Sequence, residues 1–454
     1  MKPSPSALMS PADAPRIPRL FPSYRDFVDD ALFDPRWGYY STGQVRFGEG
    51  GHYDTFPLAL SPLFGRMVAA YAFRAWRRWG EPARFEICEL GAGNGQLCLD
   101  TLLSIAPRTH DRRRRRFADI VRYRIVERSA ALIARQREHL GPLAAQVRWT
   151  NADLSQYTAR GAPFASHGVV IANEVLDCLA HHKVVPQRDG RVGVVFVVPV
   201  LTGRTPPSLR TVAGVIPGKR GVPRNQLHRV FTNDRLRRRM RFIEVVLPLA
   251  AVRGLRSFVR RHCPEFFFPG KQYPPYFACP AMETLVRNTA RLYAASDMLW
   301  IDYGENRGAH LTAPENRRVF AGPPRSGASV YRAPGLDDIT FLVDFSIVRT
   351  AAERAGLAVD YYGGQGELAR RSGVRLDRNA RAEILRYRTL GWMLSVIGIG
   401  PERAWRGAGL TWGKAKGGRL RDDIARGVAE FLGHRRTHFK LMLLRRGPAD
   451  RVHK

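Results

Sequence analysis

The chain has 454 residues, 44% of them apolar, and a formal net charge of +33; this length and composition suit two or three structural units with buried cores and exclude disorder throughout. No apolar run approaches the roughly 20 residues of a membrane span, the N-terminus lacks the apolar core of a secretory signal, and the five cysteines form no CxxC pair that would indicate a disulfide framework or a zinc site. We therefore expect a cytoplasmic protein with no metal and no stable membrane insertion, whose cysteines are mostly small core residues.

Strand patterns alternate with helical patterns along the chain. The strand patterns fall on residues 85–90, 123–126, 169–172, 192–200, 298–303 and 437–446. Helical patterns lie between several of them, for example at residues 96–105 and 129–140. Such alternation is typical of an α/β fold around a mostly parallel sheet. A stretch rich in glycine and proline interrupts the alternation from Thr202 onward.

Arginine supplies most of the positive charge, since only eight of the 73 basic residues are lysines. A basic surface favours anionic partners such as nucleic acid, acidic protein or a membrane, and a scattered solvated surface explains the same charge equally well. The run of five arginines between Asp111 and Asp119 is predicted to form an exposed loop.

A glycine turn follows the first strand pattern. In FEICELGAGNGQLCLD, Gly91, Gly93 and Gly95 separate an apolar strand from a helical pattern, an arrangement that brings backbone amides close to a nucleotide cofactor. The dinucleotide fingerprint ends in glycine or alanine, where glutamine stands here, and its acid follows about 20 residues later. The acid that ends the next strand, Glu127, lies well beyond that spacing. The pattern therefore argues against NAD and favours S-adenosylmethionine, whose ribose hydroxyls pair with one carboxylate; a purely structural turn is the alternative.

Several different short motifs follow one another in a specific order along most of the chain. They are FVDDALFDPRWGYY (27–40), GHYDTFPLALSPLFG (51–65), ELGAGNGQL (89–97), IVERSAALIARQREHL (125–140), IANEVLDCLAHH (171–182), LWIDYGE (299–305), DDITFLVDFS (337–346), GGQGELARRSG (363–373) and HFKLMLL (438–444). In this order and spacing they resemble the MidA family of S-adenosylmethionine-dependent methyltransferases. A mitochondrial complex I assembly member of that family is described as a protein arginine methyltransferase.

The resemblance implies an α/β fold, namely a class I methyltransferase Rossmann-like sheet with a helical N-terminal segment and an inserted cap. With the sequence pattern, it predicts five segments. They are a disordered tail (1–20), an N-terminal helical segment (21–84), the S-adenosylmethionine-binding core (85–201), an inserted cap or substrate region (202–297), and the remainder of the core sheet with further helical insertions (298–454).

The resemblance also implies the cofactor-binding residues. Those that match the family are Glu89 before the turn, the turn glycines Gly91, Gly93 and Gly95, and the ribose-binding acid Glu127. Asp153 falls where methyltransferases of this fold often place an acid beside the adenine, and a helix N-cap is an equally good explanation of it.

The predicted catalytic residues follow the fourth strand pattern. Asn173, Glu174 and Asp177 match the family's N-E-x-x-D motif, at the sheet edge where open α/β folds place their reactive crevice. A guanidinium is a cation and a poor nucleophile, and paired carboxylates hold its planar fork and localise its charge away from the attacking nitrogen. We predict that Glu174 and Asp177 form this clamp. The alternative is a carboxylate pair at a helix N-terminus, favoured by the helix dipole.

Three further residues are predicted near the reaction, each with a structural alternative. His182 matches a histidine beyond the motif and is either a proton acceptor or a packing residue. Asp302 and Tyr303 end a later strand pattern. They either line the same crevice or make a strand-end hydrogen bond.

One motif departs from the family. The family usually reads G-D-F-x-T-S-P-E where this chain has GHYDTFPL, so His52, Phe56 and Leu58 replace an acid, a serine and a glutamate. The usual L-P-V-H also becomes LAHH. If the first loop closes over the cofactor or accepts the target, the loss of two acids changes the cation it prefers. The cofactor prediction is unaffected, whereas the substrate prediction weakens.

Three functions remain open, and the sequence favours the first. The protein methylates an arginine of a protein partner, methylates a biosynthetic small molecule or RNA, or binds S-adenosylmethionine as a non-catalytic assembly factor. The altered loop favours a small molecule and the basic charge favours RNA, although no RNP motif or KH-type loop accompanies that charge. The intact glycine turn and N-E-x-x-D motif argue against the assembly factor.

Overall fold

The computed structural model describes residues 16–43, 45, 56–105, 110–155, 164–213, 215–216, 218–312, 319–321, 329–386, 417–432 and 439–447. The chain divides into two compact units. Unit 1 comprises Met1–Gln44, Cys178–Ala281 and Asn306–Leu342, and unit 2 comprises Val45–Asp177, Met282–Glu305 and Val343–Lys454.

The elements are numbered in chain order. The strands are β1 (Phe85–Leu90), β2 (Val121–Glu127), β3 (Val147–Asn151), β4 (Ala165–Asn173), β5 (His182–Pro186), β6 (Val192–Leu201), β7 (Val212–Ala213), β8 (Arg220–Gly221), β9 (Met240–Pro248), β10 (Tyr276–Ala278), β11 (Tyr293–Glu305), β12 (Val319–Ala321), β13 (Ile339–Phe341), β14 (Val343–Asp344), β15 (Ala358–Gly364) and β16 (Phe439–Arg446). The helices are α1 (Ile17–Leu20), α2 (Tyr24–Phe33), α3 (Phe56–Ala59), α4 (Leu63–Arg78), α5 (Gln96–Ile105), α6 (Arg112–Ile120), α7 (Ala130–Leu140), α8 (Leu227–Phe231), α9 (Asp234–Arg238), α10 (Leu255–His262), α11 (Pro280–Thr289), α12 (Arg307–Thr312), α13 (Phe345–Arg354), α14 (Glu367–Ser372) and α15 (Gly417–Phe431). In the described part of the chain, no helix has both the length and the apolar character needed to cross a bilayer.

Unit 2 is built on a sheet with the strand order β15-β16-β11-β4-β1-β2-β3, and β14 pairs with β11. Strands β3, β2, β1, β4 and β11 are mutually parallel, while β16 runs antiparallel to both β11 and β15. Every residue of β1 is buried, as expected for a central strand of a sheet covered on both faces. Strands β2 and β3 follow β1 on one side, and β4 lies on its other side, so the strand order reverses between β1 and β4. Open α/β sheets bind their ligands at such a position.

Helices α4 and α5 pack closely in unit 2 because of a glycine in the PLFG motif. A Cβ built on Gly65 would lie 2.4 Å from Cβ of Asp100 and 2.7 Å from the backbone nitrogen of Thr101. The hydroxyl of Ser61 donates to Oδ2 of Asp100 at 2.5 Å. This part of the family motif therefore has a packing role.

Replacing Gly65 with alanine is expected to lower the free energy of unfolding by about 1–3 kcal/mol, because the added methyl forces two helices apart. The control is Gly427→Ala in α15, where an added Cβ meets no atom within 4 Å. That variant is expected to gain about 0.4–1 kcal/mol. Urea unfolding followed by circular dichroism measures both, and a Gly65→Ala variant as stable as the wild type would contradict the packing role.

Unit 1 is built on a separate antiparallel sheet with the order β10-β5-β6-β8-β7, and β9 pairs with β6 along its whole length. A turn in which the N–H of Gln187 donates to the carbonyl of Arg191 at 2.8 Å joins β5 to β6. Strands β12 and β13 form a further antiparallel pair in this unit.

The structure draws the segment boundaries differently from the sequence. Strand β6 was expected in the core of residues 85–201, but it belongs to the sheet of unit 1, because its partners are β5 and β9. The inserted region therefore begins at Cys178 rather than at residue 202, and residues 282–297 return to unit 2. The predicted tail of residues 1–20 is also too long, since Ile17 is buried and begins α1; residues 1–15 lie outside the described residues.

The arginine run forms a helix rather than the predicted loop. The carboxylate of Asp111 accepts hydrogen bonds from the backbone N–H groups of Arg113 and Arg114, and so caps the N-terminus of α6. Phe117 is buried and anchors the helix. The arginines of this run, Arg112–Arg116, remain exposed. An N-cap and one apolar anchor suffice for a helix here although most of its residues are exposed arginines.

Candidate cofactor site and acidic cluster

The glycine turn lies between β1 and α5 in unit 2, as predicted. Gly91, Gly93 and Gly95 have φ angles of +63°, +55° and +88°, in the left-handed region that glycine adopts without a steric penalty. The N–H of Gly91 donates to the carbonyl of Val126 at 2.9 Å, which ties the turn to the end of β2. A Cβ on Gly91 would lie 3.1 Å from Cγ2 of Val175. A side chain is thus disfavoured at all three glycines by the φ angle, and at Gly91 by the neighbouring Val175 as well.

Glu127 ends β2 beside this turn and is buried. Its Oε1 accepts the backbone N–H of Ser129 at 2.9 Å, and its Oε2 accepts Nε2 of Gln136 at 3.2 Å. Burial raises the pKa of Glu127 to about 7, while these donors and the charge of Arg128 act in the opposite direction. A carboxylate offers about four acceptor positions. With donors from Ser129, Gln136 and the backbone of Arg128, ionised Glu127 keeps acceptor capacity for a ribose hydroxyl, and the residues present fit the predicted cofactor.

The two other acids predicted at the cofactor have partners within unit 2. Oε2 of Glu89 accepts the hydroxyl of Tyr123 at 2.7 Å, and burial raises the pKa of Glu89 to about 7. Oδ1 of Asp153 accepts the N–H and hydroxyl of Ser155 at 2.9 and 2.6 Å, and its Oδ2 lies 3.3 Å from Nη1 of Arg128. Asp153 thus caps a turn, which resembles the helix N-cap that the sequence offers as its alternative role. The contacts of Glu89 and Asp153 with the cofactor stay predictions.

Glu174 begins the segment that follows β4 and has an unusual backbone conformation. Its φ angle is +53°, which is uncommon outside glycine and is found disproportionately at functional sites. The N–H of Glu174 donates to the carbonyl of Ile301 at 2.8 Å. Nδ2 of Asn173 donates to Oε1 of Glu174 at 3.0 Å, so Asn173 orients that carboxylate.

Asp302 holds the rest of the N-E-x-x-D segment in place. Its buried carboxylate accepts the backbone N–H groups of Leu176 at 3.0 Å, Asp177 at 3.2 Å and Tyr303 at 2.8 Å. Burial raises the pKa of Asp302 well above its usual range, and the charges of Asp177 and Glu174 raise it further. Glu174 and Asp177 thus lie close enough to act electrostatically on Asp302, and the three acids are called the acidic cluster below. For Asp302, the strand-end hydrogen bond is confirmed.

The helix-dipole explanation of Glu174 and Asp177 is wrong, because residues 174–180 form bends and turns rather than a helix. The predicted catalytic histidine, His182, lies in unit 1, where it begins β5. Burial and the charge of Arg25 lower the pKa of His182 to about 4, so its ring is neutral at pH 7. The catalytic roles of Asn173, Glu174, Asp177 and His182 stay predictions.

Sequence reasoning overlooked Gln136. It lies on the buried side of α7 with Leu132, Ile133 and Leu140, and it contacts both the glycine turn and Glu127. A polar residue at a core-facing position of an amphipathic helix was the available signal, because buried polar groups need hydrogen-bond partners. Of the altered motif, residues 51–55 with His52 lie outside the described residues, Phe56 begins α3 and Leu58 is buried.

A parallel sheet with a glycine turn at its reversal point, and an acid at the end of the neighbouring strand, defines a nucleoside-cofactor protein of the Rossmann-like class. Residues 67–363 match the family model described as S-adenosyl-L-methionine-dependent methyltransferase. This match covers well over half of the chain, so the chain belongs to that family. The predicted resemblance, fold class and cofactor are thereby confirmed.

Individual relatives match shorter stretches. The mitochondrial protein arginine methyltransferase NDUFAF7 homolog of Drosophila melanogaster is 36% identical over 77 residues, or 17% of this chain and 17% of that protein. The Caenorhabditis elegans homolog is 33% identical over 119 residues, or 25% of this chain and 26% of that protein. The chain thus matches about a quarter or less of the length of these relatives.

The fold as a whole has a counterpart among solved structures. A superfamily member from Burkholderia thailandensis, solved with S-adenosyl-homocysteine bound, has a TM-score of 0.61 at 21% identity. The match covers 98% of this chain and 96% of that chain. A native structure of a protein of that superfamily from the same organism gives a TM-score of 0.58 at 20% identity, with the same coverage of both chains. At this identity the likeness shows a shared fold.

Proposed function

We propose that the protein transfers the methyl group of S-adenosylmethionine to a guanidinium nitrogen of an arginine in a protein partner. The observation that carries the proposal is the acidic cluster where β4 ends, at the crevice edge of the parallel sheet. The relatives named above, which carry the name protein arginine methyltransferase, support the same acceptor.

Electrostatics favours a cationic acceptor at this cluster. Bound S-adenosylmethionine supplies an electrophilic methyl group on a positively charged sulfonium, and a guanidinium is also a cation. Two cations held close together repel each other, more strongly in a partly dry site than in water. Glu174 and Asp177 offset that repulsion, because each carboxylate attracts the incoming guanidinium. A neutral acceptor carries no charge that these carboxylates would attract before the reaction, so the cluster favours a cation.

The site residues in unit 2 then have defined roles. Glu127 binds the ribose, and the glycine turn leaves room for the cofactor next to β1. Glu174 and Asp177 hold the guanidinium so that one nitrogen faces the methyl group, which is the positioning that an in-line displacement requires. Asn173 orients the carboxylate of Glu174, and Asp302 holds the backbone of Asp177 in place. A carboxylate of the cluster accepts the proton that the methylated nitrogen releases.

RNA is a second candidate acceptor because of α6. Its exposed arginines, Arg112–Arg116, lie in the same unit as the cofactor site, and arginine clusters bind phosphate backbones. Some of this charge is already balanced within the protein, since Arg113 and Arg116 both contact Glu81. The arginine run therefore carries less weight than the acidic cluster.

A labelling experiment distinguishes these acceptors. Purified protein is incubated with methyl-labelled S-adenosylmethionine and a fractionated lysate of the source organism, and parallel samples receive protease or ribonuclease. We expect label in a protease-sensitive band that is absent with Glu174→Gln. Label confined to ribonuclease-sensitive or low-mass material would overturn the protein acceptor. No transfer to any fraction, with cofactor binding intact, would overturn the proposal in favour of an assembly factor.

A further inference from the structure

The amide of Gln136 joins two parts of the cofactor site. Its Nε2 donates to the carbonyl of Gly93 at 3.0 Å and to Oε2 of Glu127 at 3.2 Å. Its Oε1 accepts the indole N–H of Trp149, on β3, at 3.1 Å. Gln136 is 0% exposed. One side chain therefore links the glycine turn, the ribose acid and the neighbouring strand without contact with water.

The orientation of this amide is determined by its partners. An indole nitrogen is a donor only, so Trp149 must face the amide oxygen. The two amide hydrogens then point at acceptors, the carbonyl of Gly93 and the carboxylate of Glu127. The reversed amide would set its oxygen against two other acceptors and its NH₂ against a donor. Apolar packing reinforces the arrangement, since a Cβ built on Gly95 would lie 3.5 Å from Cγ of Gln136.

We propose that Gln136 is a positioning residue that holds Glu127 as an oriented, ionised acceptor for the cofactor ribose and fixes the glycine turn relative to it. The proposal rests on the family's cofactor and is independent of the methyl acceptor. Hydrogen bonds to a charged partner are worth more than those between neutral groups. Without its amide donor, Glu127 would be a buried carboxyl with less support for its charge, and the carbonyl of Gly93 would lose a partner.

Other charges at Glu127 come from neighbouring elements. The charge of Glu127 makes ionisation of Glu89, on β1, less favourable, whereas Arg128, which follows β2, favours the ionised form of Glu127. The backbone N–H of Ser129 donates to the other oxygen of Glu127. None of these groups is altered when Gln136 is replaced. A change in the ionisation of Glu127 would therefore report the amide.

The test measures binding of S-adenosyl-homocysteine by calorimetry between pH 6 and 9, with no methyl acceptor present. Gln136→Met keeps the length of the side chain and removes its hydrogen bonds. We expect affinity at pH 7 to fall about 10-fold or more and the pH midpoint of binding to move upward. Trp149→Phe, which keeps Gln136 but frees its amide to rotate, is expected to have a smaller effect in the same direction.

A double-variant comparison separates positioning from general damage. In a Glu127→Gln background, Gln136→Met is expected to lose much less affinity than in the wild type, because the carboxylate it supports is gone. An unchanged affinity in Gln136→Met, or a loss with an unmoved pH midpoint, would overturn the proposal. If Gln136→Met does not fold, the midpoint of Trp149→Phe decides instead, and an unmoved midpoint there would overturn the proposal as well. Because binding is measured rather than transfer, failure of the proposed arginine acceptor would leave this result unaffected.

Discussion

Replacing Glu174 with glutamine is expected to lower the turnover of methyl transfer by about 100-fold or more, through loss of acceptor orientation and charge stabilisation. Glutamine keeps the size of the side chain and removes its charge. Because the substitution leaves Glu127 and the glycine turn unchanged, the Kd of S-adenosylmethionine is expected to stay within about twofold of the wild type. Asp177→Asn is expected to give the same separation between turnover and cofactor binding.

The matched control is Glu138→Gln, since Glu138 is an exposed glutamate of α7 in the same unit. It should leave both turnover and cofactor affinity unchanged. The measurements are label transfer into the protein fraction and calorimetric titration of the cofactor. Full turnover in Glu174→Gln, or a parallel loss of turnover and cofactor affinity, would contradict a role for Glu174 at the acceptor.

Cofactor affinity is expected to rise about 10-fold as the pH increases from 6 to 8, because the predicted ribose acceptor is the ionised form of Glu127, whose pKa is about 7 before binding. Below pH 7 the carboxyl is largely protonated and must lose its proton for the cofactor to bind. This cost falls as the pH rises through 7 and has almost gone by pH 8. The expected curve is therefore low on the acid side and level on the alkaline side.

Glu127→Gln removes this titration and is the decisive comparison. We expect weaker binding at pH 8 and a profile that is nearly flat across the range attributed to Glu127. S-adenosyl-homocysteine titrated by calorimetry at each pH supplies the data, and Glu89→Gln tests whether the neighbouring carboxyl, whose pKa is also about 7, contributes a second step. A profile that stays pH-dependent with an unmoved midpoint in Glu127→Gln would show that another group is responsible.

The raised pKa of Glu127 also has a consequence for stability. The folded protein binds this proton more tightly than the unfolded chain, whose glutamates titrate near 4.5. The stabilisation that this bound proton gives the folded protein is therefore present below pH 4.5, and it is lost as the pH rises to about 7. A buried acid that costs stability at neutral pH, but can accept a ligand hydroxyl when ionised, is typical of a residue retained for binding.

Local signals in the sequence were enough for the cofactor side of the site. Strand β1 and helix α5 were predicted with the bounds that the structure has, because a continuous apolar run, a glycine turn and an amphipathic pattern adjoin there. The prediction of Glu127 at the end of a strand also needed only nearby residues.

Features that depend on distant contacts were predicted poorly. The assignment of β6 to the core failed because a buried apolar strand has the same sequence pattern in either sheet. Its pairing with β9 places it in the sheet of unit 1. The role of Asp302 could not be predicted, because its hydrogen-bond partners Leu176 and Asp177 are brought next to it only by the pairing of β4 with β11. The helix α6 was missed for a local reason, because the prediction considered the exposed arginines and not the N-cap that Asp111 supplies.

The central claim is that the acidic cluster presents a protein arginine to the cofactor, and the identity of the labelled residue tests it most directly. Labelled protein is hydrolysed completely, and the amino acid that carries the methyl group is identified by mass. We predict methylarginine with the wild-type protein and none with Glu174→Gln. A methyl group on any other amino acid, or methylarginine formed equally well by Glu174→Gln, would contradict the claim.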